Sequence, residues 1–103
     1  MTGRPAFVIT GPTSGIGRFT AFELASHGTV VLVGRDQRKL DDVRKIIAGR
    51  GQHAVSVVCD LADPQSVSRA VAEIVALDLP VAGLLNNAGI MPLGARQNAL
   101  GWD

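Results

Sequence analysis

An apolar run, Ala6-Phe7-Val8-Ile9, leads straight into Thr10-Gly11-Pro12-Thr13-Ser14-Gly15-Ile16-Gly17, and a helix-like stretch follows at once. Strand, glycine-rich turn and helix in that order leave few folds open. The first turn of a helix carries unpaired N–H groups and a partial positive charge, so an anion can rest there without a side-chain cation. Glycines let the chain reverse sharply and let a diphosphate approach the backbone closely. Pro12 has no N–H to offer; Thr13 and Ser14 supply hydroxyl and amide donors instead. The spacing is G-x-x-x-G-x-G, not the general dinucleotide fingerprint G-x-G-x-x-G. The preceding strand and the following helix therefore carry much of the weight.

The chain goes on alternating. Ala6 to Thr10 reads as the first strand and Gly15 to His27 as a helix, with Ile16, Phe19, Phe22 and Leu24 among its apolar positions. Gly28 is the expected stop, because glycine accepts the left-handed conformation past a helix end. Thr29 to Val33 is a second strand whose β-branched run suggests burial on both faces, as in a parallel sheet. Asp36 can cap a helix from Gln37 to Ala48, with Leu40, Val43, Ile46 and Ile47 at helical spacing. Ala54 to Val58 is a third strand. Asp63-Pro64 starts a third helix, with Val67, Ala70, Val71, Ile74 and Val75 as its buried stripe. Val81 to Asn86 is a fourth strand.

This βαβαβαβ order predicts an α/β, Rossmann-type three-layer fold: a partial doubly wound parallel sheet of about four strands in the order 3-2-1-4. The 103 residues form a single partial domain, with residues 5–89 as its core and residues 90–103 as an irregular tail. A fourth strand left at the edge of a sheet built to continue would lack partners.

Composition narrows the function classes. An apolar fraction of 47% with 18% charged residues belongs to a globular chain. A net charge of +1 argues against a nucleic-acid binder that neutralises phosphates. Arg35, Arg38, Lys39, Arg44 and Lys45 cluster, but Asp36, Asp41 and Asp42 are interleaved, as on a solvated helix face. Cys59 is the single cysteine, which fits a reducing compartment, where a buried inert thiol is the usual case. His27 and His53 are isolated, and no metal site is expected. No apolar run reaches the roughly 18 residues of a membrane span. A cytoplasmic protein is the default, with membrane association of a longer parent left open.

Thr10-Gly11-x-x-x-Gly15-Ile16-Gly17, then Asp60-Leu61, then Asn86-Asn87-Ala88-Gly89 resemble, in order and spacing, the short-chain dehydrogenase/reductase family. The likeness runs from Ala6 to about Gly89. The tail Asn98 to Asp103 is similar to retinol-dehydrogenase-like members. The resemblance implies a nicotinamide dinucleotide site. Gly11, Thr13, Ser14, Gly15, Ile16 and Gly17 would line the diphosphate, and Asp60 would bond the adenine amino group beside the backbone of Leu61. Asn86, Ala88 and Gly89 would border the adenosine and nicotinamide ribose region. Asn87 would be structural, its amide tying strands together.

Arg35 bears on the choice of coenzyme. An NAD site wants a carboxylate after the second strand, for the ribose 2′-OH. Here Gly34 ends that strand and Arg35 follows, a guanidinium that can pair with a 2′-phosphate. NADP(H) is favoured, with NAD(H) the alternative; Ser14 stands where a second basic residue is often found.

Family chemistry resembles hydride transfer between the coenzyme and a carbonyl or alcohol, with a serine and a Tyr-x-x-x-Lys segment beyond the fourth strand. The chain has no tyrosine, so no catalytic residue is assigned. The expectation is the coenzyme-binding half of a short-chain oxidoreductase, truncated and inactive by itself. Its parent would be a homo-oligomer, and the fragment would self-associate through its open edge. The alternatives are a non-catalytic dinucleotide-binding module and a piece that completes its sheet with a partner.

Overall fold

The computed structural model describes residues 4–13 and 15–86. Seven elements follow one another: β1 (Ala6–Thr10), α1 (Gly15–Ala25), β2 (Thr29–Gly34), α2 (Gln37–Gly49), β3 (Ala54–Val58), α3 (Pro64–Ala76) and β4 (Val81–Asn86). The strands form one sheet in the order β3-β2-β1-β4. Every pairing is parallel, with Val8 opposite both Val31 and Leu84. The expected strand order and the doubly wound pattern are what the chain adopts. The tail at residues 90–103 lies outside the described residues.

Successive residues of a strand point to opposite faces, which sorts the core into two clusters. Ile9, Val30 and Leu32 pack with Ala21 and Ala25 of α1 and with Leu40, Val43 and Ile47 of α2. On the opposite face, Val8, Val31, Val33, Val57 and Cys59 pack with Ala70 of α3. Val30 to Val33 are all buried, so β2 is covered on both faces, as its β-branched run suggests.

Three sequence expectations are corrected: the end of α1, at Ala25 and not His27, the buried stripe of α3, and the role of Gly28. The face that α1 buries is Gly17, Ala21 and Ala25, while Ile16 and Phe19 are 77% and 66% exposed. Small residues at i, i+4 and i+8 let the helix lie close to the sheet, Ile16 and Phe19 turn outward, and Phe22 and Leu24 are half-buried against the core. In α3, Ala70 is buried and Val67 and Ile74 half-buried, but Val71 and Val75 are exposed. Gly28 is not a left-handed cap, since the described glycines with positive φ are Gly11, Gly15 and Gly51. α1 ends at Ala25, and a Cβ on Gly28 would strike the carbonyl oxygen of Pro5. That same oxygen accepts from Thr29 N–H at 2.9 Å, so glycine is needed there for close backbone approach.

Candidate functional site

All four strands run the same way, so their C-terminal ends share one rim of the sheet. Gly11, Arg35, Asp60 and Asn86 are carried there by β1, β2, β3 and β4. Backbone bonds continue across the strand ends: Gly11 N–H donates to Val33 O at 3.2 Å, and Cys59 N–H to Gly34 O at 2.7 Å. In an open α/β sheet the crevice outside this rim is where ligands bind.

The turn from β1 to α1 is built by glycine conformation. Gly11 and Gly15 have φ of 65° and 57°, a region other residues seldom enter. Apart from its chain neighbours and its own helix backbone, no described atom lies within 4 Å of where a Cβ on Gly15 would sit, so among the described residues that side of the turn is open. A Cβ on Gly17 would overlap the carbonyl oxygen of Gly11, so the helix starts as close to the turn as glycine allows. Pro12 is buried and anchors the turn, Thr13 is half-buried, and Ile16 projects outward. An open cradle with a helix N-terminus at its floor fits a diphosphate. Ser14 lies outside the described residues, as do Asn87, Ala88 and Gly89.

Beyond β2, Arg35 is exposed. The neighbouring Asp36 caps α2: its Oδ1 accepts from the N–H groups of Arg38 at 3.0 Å and Lys39 at 3.2 Å. The carboxylate next to Arg35 is thus committed to the helix, as expected of a cap. Among the described residues, the ion pair present joins Arg44 to Asp41 at 3.4 Å. Partial desolvation pushes the Asp41 carboxyl up, but hydrogen bonds from Gln37 and Arg44 outweigh it and hold it below the usual range.

Beyond β3, Asp60 is held from both sides. Its N–H donates to Ser66 Oγ at 2.9 Å, and its Oδ1 accepts from Ala62 N–H at 3.0 Å. Ser66, buried in the first turn of α3, was not singled out from the sequence. The signal it offered was a hydroxyl at the start of a helix six residues beyond Asp60. Leu61 is half-buried and packs on the α3-side cluster. Burial pushes the Cys59 thiol up, and the nearby Asp60 charge adds to this. At the end of β4, Thr10 Oγ1 donates to Asn86 Oδ1 at 2.8 Å, tying β1 to β4. His27 and His53 are exposed, and no three His, Cys, Asp or Glu of the described residues gather as a metal site would need. No described helix is long and apolar enough to cross a membrane.

Residues 5–100 match the family described as short chain dehydrogenase. A granaticin polyketide synthase putative ketoacyl reductase 1 from Streptomyces violaceoruber is 39% identical over 87 residues, covering 84% of this chain and 32% of that protein. A metagenomic short-chain oxidoreductase solved in complex with NADP superposes with a TM-score of 0.80 at 34% identity, over 86% of this chain and 41% of that one. A 3-oxoacyl-[acyl-carrier protein] reductase from Brucella melitensis with bound NAD superposes with a TM-score of 0.73 at 27% identity, over 87% of this chain and 34% of that one. The chain thus spans about a third of the length of the curated relatives it matches.

Proposed function

Because the chain belongs to the short-chain dehydrogenase family, we propose that it holds a nicotinamide dinucleotide along the rim formed by the C-terminal ends of its strands. It would do so as the coenzyme-binding part of an oxidoreductase acting on a carbonyl or alcohol. The open turn at Gly11 and Gly15 carries this proposal. Gly11, Thr13, Ser14, Gly15, Ile16 and Gly17 would line the diphosphate, the Gly11 N–H itself being taken by Val33 O. Asp60, with its loop fixed by Ser66 and Ala62, offers its second carboxylate oxygen to the adenine amino group, beside the backbone of Leu61. Asn86, Ala88 and Gly89 would border the ribose region, as the family resemblance implies. When bound, the nicotinamide supplies or accepts the hydride. The proton donor that the family resemblance implies is a tyrosine, and these 103 residues contain none.

The coenzyme is NADP(H). Solved relatives hold NADP or NADPH in three cases and NAD in one, so the relatives alone do not fix the preference and it rests on Arg35. Its guanidinium is exposed beside the site, and the adjacent Asp36 is turned to α2. We place the chain in the reducing cytoplasm, in keeping with one buried thiol and no second cysteine.

Titration of the chain with NADPH and NADH tests this. NADPH should bind more tightly, and Arg35→Asp should cut the NADPH:NADH affinity ratio by about tenfold or more, since a charge-assisted bond is replaced by repulsion. A folded chain that binds neither coenzyme removes the proposal. An unchanged ratio in Arg35→Asp removes the NADP(H) assignment.

A further inference from the structure

The stripe Lys39, Val43 and Ile46 runs down one flank of α2 at i, i+4 and i+7, and Arg50, which caps the helix, follows at i+11. Two of these residues show where that flank faces. Val43 is buried in the cluster that holds Ala21 and Ala25 of α1. The Arg50 guanidinium lies 4.7 Å from the ring centroid of Phe22, also on α1. Lys39 continues the same flank into the first turn, about three helical turns above Arg50. It therefore lies on the flank of α2 that is turned to α1. Helical side chains lean toward the helix N-terminus, which carries Lys39 toward the rim where Arg35 sits. Arg38 has a different direction: it is two positions before the buried Leu40, about 200° round the helix, and so points away from the sheet. The opposite flank is occupied by Gln37, Asp41 and Arg44, bonded to one another.

Resting on the NADP(H) reading above, we propose that Lys39 is a second specificity-determining cation that shares the 2′-phosphate of the coenzyme with Arg35. A phosphomonoester on the ribose carries more than one negative charge at neutral pH, and one guanidinium leaves part of it to water. Ser14 in the glycine turn brings no cation. Lys39 is exposed and takes part in no ion pair among the described residues. Its backbone N–H is held by Asp36, which fixes the first turn that presents it.

Calorimetric titration of the full chain with 2′,5′-ADP and with 5′-AMP isolates the 2′-phosphate from the rest of the coenzyme. Lys39→Ala should weaken 2′,5′-ADP by about fivefold to tenfold, leave 5′-AMP unchanged, and lose its effect as salt rises. Arg38→Ala, which removes an equal charge one residue away and about 100° further round the helix, on the side turned from the sheet, should stay within about twofold of wild type. Equal effects of the two variants, or an equal loss on both ligands in Lys39→Ala, would overturn the role of Lys39 while leaving the NADP(H) reading intact. A wild-type chain that binds 2′,5′-ADP no better than 5′-AMP would overturn that reading, and Lys39 with it.

Discussion

Gly15 and Gly17 lie two residues apart and need to be glycine for different reasons. Gly15 has φ of 57° with open space where a Cβ would go, so its constraint is conformational. Gly17 has helical backbone geometry, but a Cβ would meet the Gly11 carbonyl, so its constraint is steric. An alanine at 15 should cost about 1–2 kcal/mol, the usual penalty for a left-handed L-residue. Alanine at 17 collides with backbone that cannot swing aside, and about 3 kcal/mol is expected. Urea unfolding of the two variants would show the order; a milder loss at 17 than at 15 would contradict the packing of α1 against the turn. Both glycines stand out in the sequence as members of one motif. Their separate duties depend on how closely α1 approaches β1, and spacing does not report that distance.

The helices are bounded by signals written locally. Asp36 and Asp63 have extended backbones and accept from the first free N–H groups of α2 and α3. Asp36 takes two such donors and Asp63 one, so Asp36→Ala should cost about 1 kcal/mol and Asp63→Ala somewhat less. In a chain of this size 1 kcal/mol corresponds to roughly 4–8 °C in Tm. Thermal melts of both variants would check the ranking, and a larger drop for Asp63→Ala would count against it. Which apolar residues of a helix are buried was less legible. Ile16, Phe19, Val71 and Val75 follow helical spacing yet face outward, because the apolar stripe of a helix is wider than the part a four-stranded sheet covers. The end of α1 departs from its glycine signal for a related reason: Gly28 answers to Pro5 on a different segment, not to its own helix.

Across the molecule, the apolar surface that remains is unevenly placed. Val8 pairs in register with Leu84 and belongs to the α3-side core, so Leu84 lies on that face too. Leu84 is 59% exposed, and Val71 and Val75 of α3 are exposed as well. β4 carries no charge and no proline to discourage pairing, and among the described residues its neighbour is β1 alone. The chain by itself should therefore self-associate as its concentration rises. Leu84→Lys combined with Val75→Lys should raise the concentration needed by about tenfold or more, since each apolar side chain contributes roughly 1.5–3 kcal/mol when buried. Sedimentation velocity over a concentration series would read this, and an unchanged midpoint would exclude that face as the contact.

Sequence alone determined the element order, the parallel sheet and both aspartate caps, because each is set by contacts within a few residues or by a strict 2.0 or 3.6 periodicity. Tertiary structure decided what depends on separation across the chain. It set Thr10 against Asn86, Ser66 beneath Asp60 and Gly28 against Pro5, and it turned the Lys39 flank of α2 toward α1. Those are relations between distant segments, and they exist only once the strands have chosen their neighbours and the helices their distance from the sheet.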